Sequence, residues 1–284
     1  MDAHRSSRQS WERARESFAA EGYLHLRGAV SQETCDHLID HFMRLPPPDP
    51  TRRSVTGYHE RLSLREMSAE ERRDILRYMR PHCFDETTLR FCFDPQIYDC
   101  VEEILPGALL GHTAFIPKAP GALGCAPHPD TPFFEVDPGP CLGVFVALEA
   151  ANEDNGTFFI VPGTHKTLRH PLPRPPDRTV YATDVEFDVP AEATILPIPL
   201  DAGDAVVFDA NILHGAGPNR TERWRRSLVL HYAPSNCRSA SKDLLPLRDR
   251  TGGEKRVVVI DGAYLAAAKE QVDRLLASGN TSQP

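Results

Sequence analysis

The chain reads as a mainly β protein, an antiparallel sandwich or barrel flanked by helices. Two observations predict this. From about residue 109, short apolar runs recur: LLGHTAFI, CLGVFVALEA, GTFFIVPG, ATILPIPL, AVVFDANILH and SLVLHYA. Turn-forming segments divide them, among them PKAPGALG, DPGP, NEDNG, DAGD and GPNRTE. Many short strands with such punctuation pack as two sheets or close into a barrel. Before and after this region the apolar spacing changes to that of helices.

Taken in order, residues 8 to 45 read as two helices around a short extended segment. Ser10 caps SWERARESFAAEG, and Gly22 stops it. Tyr23, His25 and Arg27 alternate with Leu24, Leu26 and Gly28, the period of a strand. Ser31 opens SQETCDHLIDHFMRL, with Leu38, Phe42 and Leu45 as its apolar face, and PPPDP ends it. Residues 51 to 108 read as mixed and mostly helical. EMSAEERRDILRYMR places acids early and bases late, matching the helix dipole, and QIYDCVEEIL is a second helix. Residues 166 to 190, rich in Pro and Arg, are a long excursion from the sheet, of the kind that forms lids or binding loops. AYLAAAKEQVDRLLAS forms a helix near the end. The expected organisation is one domain over 1–284: a mostly helical part to 108, a β core over 109–240, and an extension over 241–284.

Composition narrows the function. The chain has 284 residues, 40% hydrophobic and 25% charged, with a net charge of −8. These are the values of a globular protein with a sizeable core. The negative balance is poorly suited to neutralising phosphates over a broad face, so nucleic acid and anionic membranes are not expected partners. Seven scattered cysteines, without a Cys-x-x-Cys pair, argue against a disulfide framework or a zinc knuckle. No apolar leader and no run near ~20 apolar residues is present, so a cytoplasmic protein is expected.

The chemistry centres on His128-Pro129-Asp130. Residues i and i+2 of an extended segment share a face, so one ion can be reached by both side chains. His214, closing the AVVFDANIL strand, is the candidate third ligand. Two imidazoles and a carboxylate leave three metal positions open, the arrangement of non-haem Fe(II) oxygenases, with room for a bidentate 2-oxo acid and O2. Zinc accepts the same ligands. Arg225 lies eleven residues past His214 and opens the next strand. If GPNRTE is the intervening hairpin, its planar fork can hold the far carboxylate of 2-oxoglutarate. Arg225 and Arg226 face opposite ways, and the neighbouring arginines read as solvated. His165 in PGTH reads as the brace of a turn. His37 and His41, at i and i+4, lack the Glu of a zinc protease and read as a helix face.

With these residues in place, the chain resembles the phytanoyl-CoA dioxygenase family. Four segments carry the likeness: APHPD, NGTFFIVPGTHK, GDAVVFDANILHGAGPNRT and RRSLVLHYAPS, together with FAAEGYLHLRGAVS near the start. The resemblance implies a double-stranded β-helix, the jelly roll shared with cupins. It implies His128, Asp130 and His214 as ligands of Fe(II), and Arg225 as anchor of 2-oxoglutarate, with O2 as oxidant. Phe145 matches a position lining the 2-oxoglutarate pocket. Related halogenases replace the iron-binding acid by a small residue. Asp130 is present here, which points to hydroxylation or a similar oxidation, and the resemblance implies a small-molecule substrate. Thr131, Phe133, Phe134 and Lys118 are candidates to line its side of the metal. Two competing readings are a cupin-type metalloprotein that needs no 2-oxoglutarate, and a non-catalytic ligand-binding relative.

Overall fold

The computed structural model describes residues 2–44, 77–169, 171–172, 177, 179–181 and 185–260, with residues 270 and 274 beyond them. The N-terminal part holds α1 (Asp2–Glu21), β1 (Tyr23–Leu26), α2 (Gln32–Arg44), β2 (Tyr78–Met79), α3 (Glu86–Phe91) and α4 (Pro95–Ile104). Then come β3 (Leu109–Lys118), β4 (Cys125–His128), β5 (Val136–Asp137), β6 (Leu142–Ala147), β7 (Phe158–Ile160), β8 (Leu196–Pro197) and β9 (Ala205–Asp209). The last are β10 (His214–Ala216), β11 (Arg225–Ala233), β12 (Ser239–Ser241), β13 (Leu247–Arg248), β14 (Glu254–Lys255) and β15 (Val258–Ile260).

The larger sheet runs β1-β9-β6-β11-β3-β13-β14, with β2 also on the β3 edge. A smaller sheet runs β4-β10-β7-β8, and a third joins β15, β12 and β5. The two main sheets face one another. Phe145, Val206 and Phe208 from the larger sheet share one buried cluster with Phe158 and Ile160 of the smaller. The outer face of the larger sheet is covered as well. Leu142, Val144, Val146, Val207, Leu228, Leu230 and Tyr232 pack with Cys35, Leu38 and Phe42 of α2 and with Ile97 and Val101 of α4. Burial on both faces explains why LGVFVA is a continuous apolar run instead of an alternating one. This is the jelly roll expected from the sequence.

β11 is where this arrangement bears on chemistry. Its even-numbered residues Leu228, Leu230 and Tyr232 face the helices. Side chains alternate along a strand, so Arg225, Ser227, Val229 and His231 point between the sheets. Helix signals were partly legible. Ser31 caps α2 through its hydroxyl, which accepts from the Thr34 N–H at 3.1 Å. Asp94 and Pro95 start α4.

Three expectations need correcting or placing. α1 begins at Asp2, not at a Ser10 cap, because residues 3 to 9 contain no Gly or Pro to break it. The end of the helix expected over 66–80 is instead strand β2, whose Tyr78 and Met79 pair with Phe115 and Ala114 on the open edge of β3. A sheet edge offering backbone partners overrode the helical periodicity. The rest of that segment, and most of the C-terminal helix, lie outside the described residues.

Candidate metal centre

His128 closes β4 and His214 opens β10, and the two are directly paired across these antiparallel strands. Pro129 ends the strand, and the chain turns at Asp130. The Asp130 and Thr131 N–H groups both donate to the Ala210 carbonyl, at 2.6 and 3.0 Å. The Asp130 carbonyl accepts from Phe133 and Phe134, at 2.9 and 3.0 Å. This tight turn aims the carboxylate back at the histidines. Asp130 Oδ1 lies 3.7 Å from His128 Nε2, and Oδ2 lies 3.5 Å from His214 Nε2. One donor atom from each of the three falls within 4.8 Å of the others.

The ring hydrogens follow from the partners. His128 Nδ1 donates to the Ala126 carbonyl at 2.7 Å, and His214 Nδ1 to the Ile212 carbonyl at 3.1 Å. With Nδ1 engaged in this way, each Nε2 faces the shared point, the orientation of metal-ligating histidines. Burial pushes the His214 imidazole down to about 4, so it is neutral near pH 7. Burial by itself would raise the Asp130 carboxyl, but the imidazoles of His214 and His231 hold it below the usual carboxylate range. Burial would lower the His128 imidazole, but the Cys125 thiol and Asp130 beside it raise it to about 9, so a metal binding there would displace a proton. A carboxylate and two imidazoles form a donor set that fits Fe(II), and also Zn(II).

A second feature occupies the other end of the same interior. Arg225 and Lys118 are cross-strand partners, and both are fully buried. The Arg225 guanidinium donates to Ser227 Oγ at 2.6 Å and sits 5.5 Å from the Phe145 ring centre. Its Nε has no partner among the described residues. The Lys118 ammonium donates to the Gly217 carbonyl. Burial lowers Arg225 to about 10, and burial together with Arg225 lowers Lys118 well below its ordinary value. Arg225 and Lys118, buried side by side with no carboxylate within 4 Å among the described residues and Glu149 attracting Arg225 from farther off, form a cradle for an anion. Stacked aromatics join it to the metal ligands: Phe145 lies 4.9 Å from Phe158, whose ring lies 5.4 Å from His214.

The four residues expected to line the substrate side separate. Lys118 is the cross-strand partner of Arg225. Phe134 is buried in a core cluster, 4.5 Å from the His231 ring and 4.6 Å from His112, so it is packing behind the centre. Phe133 is half-buried and edge-on to His128 at 6.0 Å. Thr131 keeps a buried hydroxyl without a partner among the described residues. His165 reaches the Ala19 carbonyl at 3.3 Å and braces α1 against its turn. His41 contacts Asp85, the cap of α3, at 2.9 Å. Sequence reasoning missed His231, whose Nε2 donates to Asp130 Oδ2 at 2.8 Å. The signal was available: it shares the inward parity of Arg225 on β11.

Comparison with known proteins agrees with this geometry. The family model for phytanoyl-CoA dioxygenase (PhyH) matches residues 18–227. The peroxisomal phytanoyl-CoA dioxygenase of Rattus norvegicus is 29% identical over 167 residues, 55% of this chain and 49% of the rat protein. The match thus spans about half of that relative's length. A probable phytanoyl-CoA dioxygenase of Caenorhabditis elegans is 24% identical, over 79% of this chain and 76% of its own. Among solved structures, the non-haem α-ketoglutarate-dependent epimerase SnoN of nogalamycin biosynthesis aligns over 81% of this chain and 84% of its own, with a TM-score of 0.61 and 20% identity. EctD from S. alaskensis, solved with 2-oxoglutarate and 5-hydroxyectoine, aligns over 78% and 75%, with a TM-score of 0.56 and 19% identity. At these identities the structural likeness establishes the fold.

Proposed function

The chain belongs to the phytanoyl-CoA dioxygenase family, and from that premise we propose that it is an Fe(II)- and 2-oxoglutarate-dependent oxygenase that hydroxylates a C–H bond of a small molecule. The overall reaction converts substrate, 2-oxoglutarate and O2 into alcohol, succinate and CO2. Iron, when bound, supplies the redox chemistry, and the protein supplies binding and orientation.

Each residue has a role in this reading. His128 and His214 give their Nε2 lone pairs to the metal, and Asp130 gives a carboxylate oxygen. Three ligands leave three positions open. Arg225 takes the far carboxylate of 2-oxoglutarate through its guanidinium fork, with Lys118 as the second cation of that cradle. Phe145, 5.5 Å from the Arg225 guanidinium, would give 2-oxoglutarate held there an apolar wall. The surrounding core (Phe158, Phe208 and Ile160) keeps water from this interior. Phe133 and Thr131 border the side left to the substrate. Free thiols at all seven cysteines fit a reducing cytoplasm. Among the described residues no helix is long and apolar enough to cross a membrane.

The cation cradle carries this reading, because a metal centre without a 2-oxo dicarboxylate has no use for two buried, unpaired cations. Incubation in air with Fe(II), ascorbate and 2-oxoglutarate tests it by succinate formation. Slow release without added substrate is expected, and no acetate when pyruvate, which lacks the far carboxylate, replaces 2-oxoglutarate. Metal binding with neither 2-oxoglutarate binding nor succinate would favour the cupin-type alternative.

A further inference from the structure

Asp130 has two oxygens, and they stand in different surroundings. Oδ2 accepts the 2.8 Å hydrogen bond from His231. Oδ1 has no hydrogen-bond partner among the described residues. Behind His231 stands a second buried imidazole, His112, with the two Nδ1 atoms 3.3 Å apart. We infer that His231, backed by His112, is a positioning residue that occupies one oxygen of Asp130 and so holds this carboxylate as a single-oxygen ligand. The inference rests on the reading of Asp130 as a metal ligand.

The fold locks this pair in place. His231 on β11 and His112 on β3 are direct cross-strand partners, next to a register shift in that ladder. On the other side, the strand partner of His231 is Gly143. A Cβ at Gly143 would meet the Phe208 ring at 2.3 Å, so the absent side chain makes room for that ring. Phe208 lies 4.6 Å from the His214 ring and edge-on to His231 at 6.4 Å. Phe134 closes the opposite side, 4.5 Å from His231. Both histidines are buried, leaving neither ring room to turn away.

A carboxylate only accepts, so the hydrogen between His231 and Asp130 sits on His231 Nε2. The two Nδ1 atoms share a second hydrogen, which ties His231 to His112. The consequence concerns coordination number. A carboxylate free to rotate can bind with both oxygens and consume one of the three open positions. With Oδ2 engaged, Oδ1 is left for the metal and the open positions are preserved. Partners of this kind tune metal affinity by about 10–100-fold.

Two variants separate this role from ordinary packing. The Gln amide nitrogen lies near the position of His Nε2, so His231→Gln keeps the donor to Asp130. The Asn amide lies near the position of Nδ1, so His231→Asn keeps the contact with His112 and loses Asp130. Co(II) is the probe, read by titration calorimetry and by its visible absorption, whose intensity falls as coordination number rises. The expected result is near wild-type affinity for Gln, a loss of about 10–100-fold for Asn, and a weaker Co(II) band in the Asn variant. Thermal melts of the metal-free proteins check that both fold. Equal affinity in both variants, whether retained or lost, overturns the inference, because the donor to Asp130 would then be irrelevant. Should the Asn variant fail to fold, His231→Leu, which keeps the bulk of Gln without a donor to Asp130, must weaken Co(II) relative to the Gln variant, and equal affinity of the two overturns the inference. Wild type that binds no Co(II) would overturn the metal-centre reading itself, and this inference with it.

Discussion

The least ordinary residues of the molecule are Arg225 and Lys118, because burying a charge without a partner is costly. Their placement makes a paired prediction. Arg225→Met removes charge-assisted hydrogen bonds worth about 1.5–3 kcal/mol each, so calorimetry should show 2-oxoglutarate binding at least about tenfold weaker. The same change relieves an uncompensated buried cation. Thermal melts of the ligand-free variant should therefore show no loss of stability. A variant that melts far below wild type would mean that Arg225 is structural. At this scale much was readable from sequence. The face of Arg225 follows from strand geometry, and His128 and Asp130 were readable as a pair, although a turn after β4, not strand alternation, aims the carboxylate at the histidines. His231 did not stand out because nothing in SLVLHYA marks a histidine as inward until the parity of the strand is known. The pairing of Lys118 with Arg225 was not readable, because the two lie more than a hundred residues apart in sequence.

Elements hold these residues through contacts distant in sequence. β1 pairs with β9, bringing Tyr23–Leu26 against Ala205–Phe208 at the edge of the larger sheet. Asp204 locks this seam. Its carboxylate accepts from the Gly28 N–H at 2.7 Å, the Asp201 N–H at 3.1 Å and His25 Nε2 at 3.1 Å. Gly203 beside it has φ +89°, and a Cβ there would lie 2.0 Å from the Val30 carbonyl oxygen, so only glycine fits. Burial alone would raise the Asp204 carboxyl, but the Gly28 and Asp201 N–H groups and His25 hold it below the usual range. A depressed carboxyl stabilises the fold above its unfolded value near 4, and the benefit fades as pH falls through the folded value. Asp204→Asn should cost about 1–2 kcal/mol at pH 7 and lose that acid limb, which denaturant melts at pH 3 and pH 7 would reveal. Sequence showed the strand-like alternation of residues 23–28 and the DAGD turn. It did not show that they meet, since register between distant strands is set by packing. The β2 segment was misread for a similar cause: its backbone partners belong to β3.

For the whole molecule, a larger sheet covered on both faces and packed against the smaller one encloses an interior in which aromatic rings join the metal ligands to the cation cradle. Ligands that bind only the folded state raise its stability, by about 2.7 kcal/mol at a hundred times Kd. The melting temperature should rise with Co(II), and rise again with 2-oxoglutarate only when metal is present, because the two share one coordination sphere. A shift from 2-oxoglutarate alone equal to that with metal would separate the cradle from the metal centre. The jelly roll was legible from the punctuated apolar runs and from the family resemblance. The substrate was not, because the walls facing it come from loops whose composition carries no periodic signal.

The central claim is that one iron, held by His128, Asp130 and His214, shares its open positions with 2-oxoglutarate anchored at Arg225. Anaerobic titration of the metal-free protein with Fe(II) and 2-oxoglutarate tests it directly, by the visible charge-transfer band of the chelate. The band should appear in wild type, vanish in His128→Ala and weaken strongly in Arg225→Met. Fe(II) binding without a band in wild type, or a full band in Arg225→Met, would contradict the account.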